Sequence, residues 1–445
     1  MAPDRASATA PLVGRRQFFT IAGTTSAAAL LAACGSSGGT SGTKAAAAPS
    51  GIGAQINKLI AKGGPAAGQG KTFNLGALEP MTGAGSFYGL EASRGAKLAI
   101  SHIEAASGPS INLVLKDHES GNTTVAVEAV REMGLDHVGA CLMSYAAVDG
   151  AALPGIAQYK ILSLDGSGGT AQVFDGKPYF WGTRSEGGKD FYGGVFSYVH
   201  KYLPSAKKLF LVAYDSGAAL NELNTNELKA VLPAYGMQLV GTLFHQGGLT
   251  DYSSILAQIQ AKSPDVILAD EVGLDAGYFM KGYVTSGMTA QVIGFEFTPD
   301  AAKIAGAAYD KYWFSGDYFD PKDPTNPFAK LFVTEYNKAY GTAPEFYAAD
   351  AYDDTFKFWQ LVRDVIAKGG NINDGTQLQN ALEANPTFPS VYGGTATAVG
   401  TETLNLTTHS VSKRGLGLFK VTNGQPSPLA LFSTGSTTLT DVSAP

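Results

Sequence analysis

Residues Gly139 to Gly169 read GACLMSYAAVDGAALPGIAQYKILSLDGSGG. Two short apolar runs, Val138 to Met143 and Ile161 to Leu164, are each followed at once by small polar residues and glycine, with an alanine-rich segment between them. That is the order strand, polar turn, helix, strand, polar turn. Parallel strands connected in this way deliver Ser144 and the Asp165-Gly166-Ser167 turn to one edge of a sheet. Hydroxyls and backbone N–H groups then converge where a small anion can sit, because a helix N-terminus offers unpaired donors and a favourable dipole. The expectation is an edge that binds a ligand without performing chemistry on it.

The same alternation extends in both directions. Upstream, Phe73 to Leu78 is an apolar run followed by a glycine-rich turn that lifts Phe87 and Tyr88 beside a helix start. Ala92, Ala96, Ala99, Ile100 and Ile103 recur at helical spacing until Gly108-Pro109. Ile111 to Leu115 is a strand reaching Asp117, and Asn122 is placed to cap the helix of Ala126, Ala129, Val130 and Met133. Downstream, strands are predicted at Tyr179 to Gly182, Leu209 to Tyr214, Gln238 to Phe244, Val266 to Ala269 and Gln291 to Gly294. Helical periodicity lies between them, one helix taking Asp251 as its expected cap. Such repetition predicts an α/β protein built on two doubly wound, open parallel sheets with helices on both faces. The last third is less regular, with an aromatic strand at Tyr312 to Phe319 and a long helix from about Tyr347 to Lys368. Late antiparallel strands are expected at Val391 to Gly394 and Gly415 to Val421, the second followed by the turn Asn423-Gly424.

A chain of 445 residues, 44% hydrophobic and 16% charged, exceeds one typical domain, so two are expected. With 32 basic against 38 acidic residues there is no basic footprint for nucleic acid. At the N-terminus, Arg15-Arg16 precedes an apolar run, Ile21 to Ala33, that is too short to span a bilayer and ends in Leu31-Ala32-Ala33-Cys34. This resembles a bacterial twin-arginine signal peptide joined to a lipobox, which implies a diacylglyceryl group on Cys34 and cleavage after residue 33. An ordinary Sec-type basic region is the alternative, and both export the protein. Cleavage removes three arginines and one aspartate, taking the net charge from −6 to −8. Residues 34–70, rich in Gly, Ser, Ala and Thr, are expected to be a flexible tether in which only Ile52 to Ile60 has the pattern of a short helix. Cys141, alone once Cys34 is lipidated, is read as a buried small hydrophobe. The six histidines never fall at metal-ligand spacing, and no phosphate-binding loop or dinucleotide motif is present. No metal, no cofactor and no enzyme activity are therefore expected.

From about Phe73 to Val421 the order of elements resembles the type I periplasmic binding proteins, in particular the branched-chain amino-acid-binding (Leu/Ile/Val) receptors of ABC importers. The stretches that carry the likeness are Leu78-Glu79-Pro80-Met81-Thr82-Gly83 leading to Tyr88-Gly89, Val138-Gly139 leading to Ser144, Ser163 leading to Ser167, Asp251 to Leu256, and Ile293-Gly294-Phe295-Glu296. The resemblance implies two lobes joined by three crossings, placed near Arg184 to Gly187, Phe319 to Pro321 and Thr397 to Leu406. Lobe one would be residues 71–183 plus 320–399, and lobe two residues 184–319 plus 400–445.

It further implies that Ser144 and the Gly166-Ser167 turn hold a ligand carboxylate, that Glu296 meets an ammonium from the other lobe, and that Tyr88 covers the ligand with Phe87 or Tyr145 beside it. An aromatic expected after Val266 to Ala269 is replaced by Asp270-Glu271-Val272-Gly273. Glu271 is therefore added to the candidates, and the ligand class widens to amino acids, amides, urea and amines. The implied partners are an ABC permease with its ATPase, and a membrane reached through the lipid on Cys34 at the outer face of the cytoplasmic membrane. A ligand sensor coupled to a signalling partner is the alternative; an exported hydrolase is disfavoured by the missing catalytic constellation.

Overall fold

A computed structural model describes residues 51–60, 68–168, 174–185 and 188–445. The signal segment, Cys34 and most of the tether lie outside them. The first described element corrects the tether. Helix α1 (Ile52–Leu59) is docked, with Ile56 fully buried among Leu98, Ala99 and Ile103, and Gly53 sits so close to the Ala105 carbonyl that no Cβ would fit. The apolar spacing of Ile52, Ile56 and Ile60 is enough to seat a helix on a neighbour in an otherwise polar stretch.

The first sheet holds β1 (Thr72–Glu79), β2 (Ser110–Asp117), β3 (Ala140–Met143), β4 (Leu162–Asp165) and β5 (Phe180–Gly182), all parallel, in the order β2-β1-β3-β4-β5. Strands β3 and β4 are buried at every residue, which is why they read as continuous apolar runs without alternation. They are joined by α2 (Ser86–Ala105), α3 (Thr123–Leu135) and α4 (Ala146–Tyr159), and Asn122 caps α3 by accepting from the Val125 N–H.

The second sheet repeats the plan. Strands β6 (Lys208–Tyr214), β7 (Gln238–His245), β8 (Val266–Asp270), β9 (Gln291–Gly294) and β10 (Tyr312–Asp317) lie parallel in the order β7-β6-β8-β9-β10. Helix α5 (Lys189–Tyr202) leads into β6, and the strands are connected through α6 (Ala218–Val231), α7 (Ser253–Ala261), α8 (Leu274–Ser286) and α9 (Pro299–Ala305). The cap of α7 differs from expectation: Tyr252 is the N-cap residue, and Asp251, one residue earlier, accepts from the Ser253 N–H at 2.9 Å.

After β10 the chain returns to the first core as α10 (Pro327–Tyr340), α11 (Phe346–Ala367), α12 (Gly375–Ala384) and the antiparallel pair β11 (Thr387–Thr395) and β12 (Ala398–Thr403). It ends beside β10 with β13 (Gly415–Thr422), β14 (Gln425–Ser433) and β15 (Thr440–Asp441), antiparallel, so the second sheet is mixed. Among the described residues, Phe73, Leu75, Leu142 and Leu164 pack with Phe358, Leu361 and Val362 of α11 to form one core. Leu209, Leu211, Leu268 and Ile293 pack with Val195 and Val199 of α5 in another.

The expected lobe boundary at residue 399 falls too early. Leu404 and Val411 belong to the first core, and Gly182 bridges to Ser410. The chain enters the second sheet only at Gly415, so the third crossing is at about Arg414. In both sheets strand order reverses between the first and third strands of the set. That reversal opens a crevice at the carboxyl ends where ligands of such sheets bind.

Candidate functional site

The two crevices face one another across a cavity of about 140 Å³. Tyr145, Ser167 and Gly168 line it from the carboxyl ends of β3 and β4, and Arg184 and Ser185 line it from the first crossing. Tyr214 and Asp270 end β6 and β8, Phe295 and Glu296 follow β9, and Phe191 and Tyr192 come from α5. The sheets touch around it. The Tyr88 hydroxyl on α2 donates to the Glu296 carboxylate and accepts the Gly273 N–H at 2.8 Å, and the Leu274 N–H reaches the Ala84 carbonyl at 3.3 Å.

Of the expected site residues, Ser167, Glu296 and Tyr145 line the cavity. Ser144 does not. Its hydroxyl is fully buried and donates to the Leu78 carbonyl at 2.9 Å, with His118 Nε2 at 3.0 Å. A serine at the end of a central strand satisfies the neighbouring strand before it satisfies a ligand. Gly166 packs beneath the cavity against Asp354, Asp350 and Thr183. Glu271 turns away, accepting from Tyr252 Oη at 2.7 Å and pairing with His245 Nε2 at 3.0 Å. Tyr88 is not in the cavity wall: its ring packs against Tyr347 at 4.6 Å, and Phe87 touches it edge-on, also away from the wall.

The anion cradle is also not as expected. The N–H groups of Ser167 and Gly168 both donate to Asp165 Oδ1, so the protein's own carboxylate fills the turn. Beneath it, burial pushes the Glu79 carboxyl up to about 8, helped by Asp165 and Asp354 and opposed by the Ser144 hydroxyl. Burial and the neighbouring Asp165 likewise hold the Asp149 carboxyl well above the ordinary range. Tyr145 has φ 69° and ψ 111°, a conformation a side-chain-bearing residue adopts at a cost of about 1–3 kcal/mol. Its ring is clamped by His118 at 5.0 Å and Tyr88 at 6.3 Å.

The opposite wall is acidic. Burial pushes the Asp270 carboxyl up to about 7, reinforced by Glu296 and Glu271 and opposed by Arg184. Glu296 is raised by burial, against the Tyr88 hydroxyl and the Arg184 charge. Arg184, which sequence reasoning treated only as a crossing residue, is the cation of the cavity. Its Nε donates to Asp317 Oδ2 at 2.6 Å, and its guanidinium lies over the rings of Phe346 at 4.8 Å and Tyr347 at 5.4 Å. Asp317 also accepts from Ser185 Oγ at 3.1 Å and lies 3.5 Å from Arg414 Nε, while Arg414 donates to the Thr183 carbonyl at 2.6 Å. One carboxylate at the end of β10 thus joins all three crossings.

Residues 72–412 match the family model described as periplasmic binding protein. The chain belongs to that family. Among this periplasmic binding protein's relatives is Leu/Ile/Val-binding protein homolog 7 of Brucella melitensis, 23% identical over 320 residues that cover 66% of this chain and 76% of the relative. Solved structures share the fold. The branched-chain amino acid transporter substrate-binding protein LivJ of Streptococcus pneumoniae, in complex with isoleucine, has a TM-score of 0.67 at 20% identity, covering 80% of this chain and 98% of that one. A solute-binding protein of an ABC transporter from R. palustris, in complex with benzoate, has a TM-score of 0.68 at 20% identity, covering 84% and 98%. The chain is thus a periplasmic binding protein with the type I fold.

Proposed function

We propose that this protein is an exported, lipid-anchored receptor that captures a small amino acid, amide or aromatic acid by closing its two lobes, and presents the closed form to an ABC permease. It performs no chemistry on the ligand. The observation that carries this reading is the small cavity enclosed between the carboxyl ends of two sheets and latched by Tyr88 across to Glu296 and Gly273. Closure of this kind buries the ligand, and the closed shape is what a membrane partner can distinguish from the open one. The binding of isoleucine by one structural neighbour and benzoate by another supports a ligand of that size, and the aromatic lining suits either.

A ligand that binds only the folded form stabilises it by about 2.7 kcal/mol at a hundred times its Kd. A thermal-shift screen of the mature protein against amino acids, their amides, urea, polyamines and aromatic acids is therefore expected to show a raised Tm with at least one class. No shift with any of them would refute the receptor reading.

A further inference from the structure

The turn that should have held a ligand anion is occupied by Asp165, and the Ser144 hydroxyl is spent on Leu78. The cavity nevertheless has a cation in its wall. Arg184 is only 5% exposed, and of the five N–H groups a guanidinium carries the Nε donor is committed to Asp317. Among the described residues, neither terminal nitrogen has a hydrogen-bond acceptor. Its face is occupied by Phe346 and Tyr347, which leaves the edge of the fork for the cavity it lines. Asp317 is shared with Arg414 and Ser185, and the other carboxylates that act on Arg184, Glu296 and Asp270, come from the opposite wall. A guanidinium in the wall of a cavity is a ready partner for an anion, and its planar fork matches a carboxylate with two parallel hydrogen bonds.

We infer that Arg184 is the specificity-determining residue of this receptor, and that its ligand carries a carboxylate held by the terminal nitrogens of Arg184, on a compact apolar body seated among Phe191, Tyr192, Tyr214 and Phe295. The anion is therefore read from the hinge side, not from the helix start after β3. This rests on the receptor reading above and narrows its ligand class from acids and amides to acids. An amide of the same shape can accept one hydrogen bond from the fork but brings two N–H donors and no charge, so the guanidinium rejects it.

Titration calorimetry on the mature protein with matched pairs tests this: leucine against leucinamide, and benzoate and phenylacetate against benzamide and phenylacetamide. Whichever body fits, the acid should bind at least about 100-fold more tightly than its amide. In Arg184→Gln that ratio should collapse towards one. Arg184→Lys, which keeps the charge but loses the fork, should retain part of it. A purely structural role would weaken acid and amide together and leave the ratio unchanged. The acid-to-amide comparison in the unaltered protein needs no variant, so a folding defect in Arg184→Gln does not blunt the test. Amides that bind as well as acids, or a response only to urea or polyamines in the wider screen, overturn this inference and leave the receptor standing; no response to any class in that screen overturns both.

Discussion

Replacing Tyr88 by phenylalanine separates latching from folding. The substitution keeps the ring that packs on Tyr347 at 4.6 Å and removes one hydroxyl, which in the closed form donates to Glu296 and accepts from the Gly273 N–H. The first bond is charge-assisted, worth about 1.5–3 kcal/mol, and the second is neutral, worth about 0.5–1.5 kcal/mol. In the open form water replaces both, so roughly 2–4 kcal/mol is lost from the closed form alone. For a receptor that stays open without ligand, all of this is taken from binding, a weakening of roughly 30- to 1,000-fold at about 1.4 kcal/mol per factor of ten. Calorimetry with the best ligand of the screen measures the affinity, and the Tm of the ligand-free protein serves as control. It should hardly move, because each sheet has its own core. An unchanged affinity, or a ligand-free Tm that falls in proportion to the lost binding, would refute the latch.

Gly273→Ala acts on the same closure by a different route. An added Cβ would stand 2.2 Å from the Ala84 carbonyl oxygen, at φ +58°, and neither backbone can yield; ligand binding should fall below detection while small-angle scattering reports a more open molecule. Ser144→Ala should cost about 1–3 kcal/mol of stability by removing a buried hydroxyl between Leu78 and His118, with ligand affinity changed less than threefold by calorimetry. The stability of the ligand-free protein should decline as pH rises from 6.5 to 8. Burial holds Glu79 at about 8 against its ordinary 4.5, and Asp270 at about 7 against 3.8, so the folded state binds more protons than the unfolded one across that window. His102 and His118, lowered by burial to about 4 from 6.5, act in the opposite direction but only below pH 6.5. Ser144, Asp165 and Asp354 face Glu79, and Glu79→Gln should flatten the decline in a series of melts at fixed ionic strength.

The frame of this fold is local in the chain, which is why it could be read there. Runs such as Leu209 to Ala213 are buried on both sides and announce themselves without partners, and Asn122 caps the helix that begins one residue later. The likeness to known receptors brought Ser167 and Glu296 to the cavity wall. What was misread depends on residues distant in sequence. Ser144 is decided by a carbonyl 66 residues away. Glu271 is withdrawn by Tyr252 and His245, which lie 19 and 26 residues back, and nothing in Asp270-Glu271-Val272-Gly273 indicates which acid faces the ligand. Asp165 filling its own turn is a matter of one rotamer. Arg184 stands in an unremarked stretch, and its role appears only when Asp317 arrives from 133 residues later and Phe346 from the far side.

The convergence of three chain segments on Asp317 bears on how this protein would serve as a scaffold. Reporter domains and new termini are commonly tried at the joints of two-lobed proteins, where movement is greatest. Here a cut at any joint would release a buried guanidinium from its shared counter-charge, and salt would do little to soften the loss because the cluster is shielded from solvent. The Asn423-Gly424 hairpin is the better place to open the chain: both residues are solvent-facing enough to tolerate a graft, both already adopt positive φ, and neither takes part in the knot.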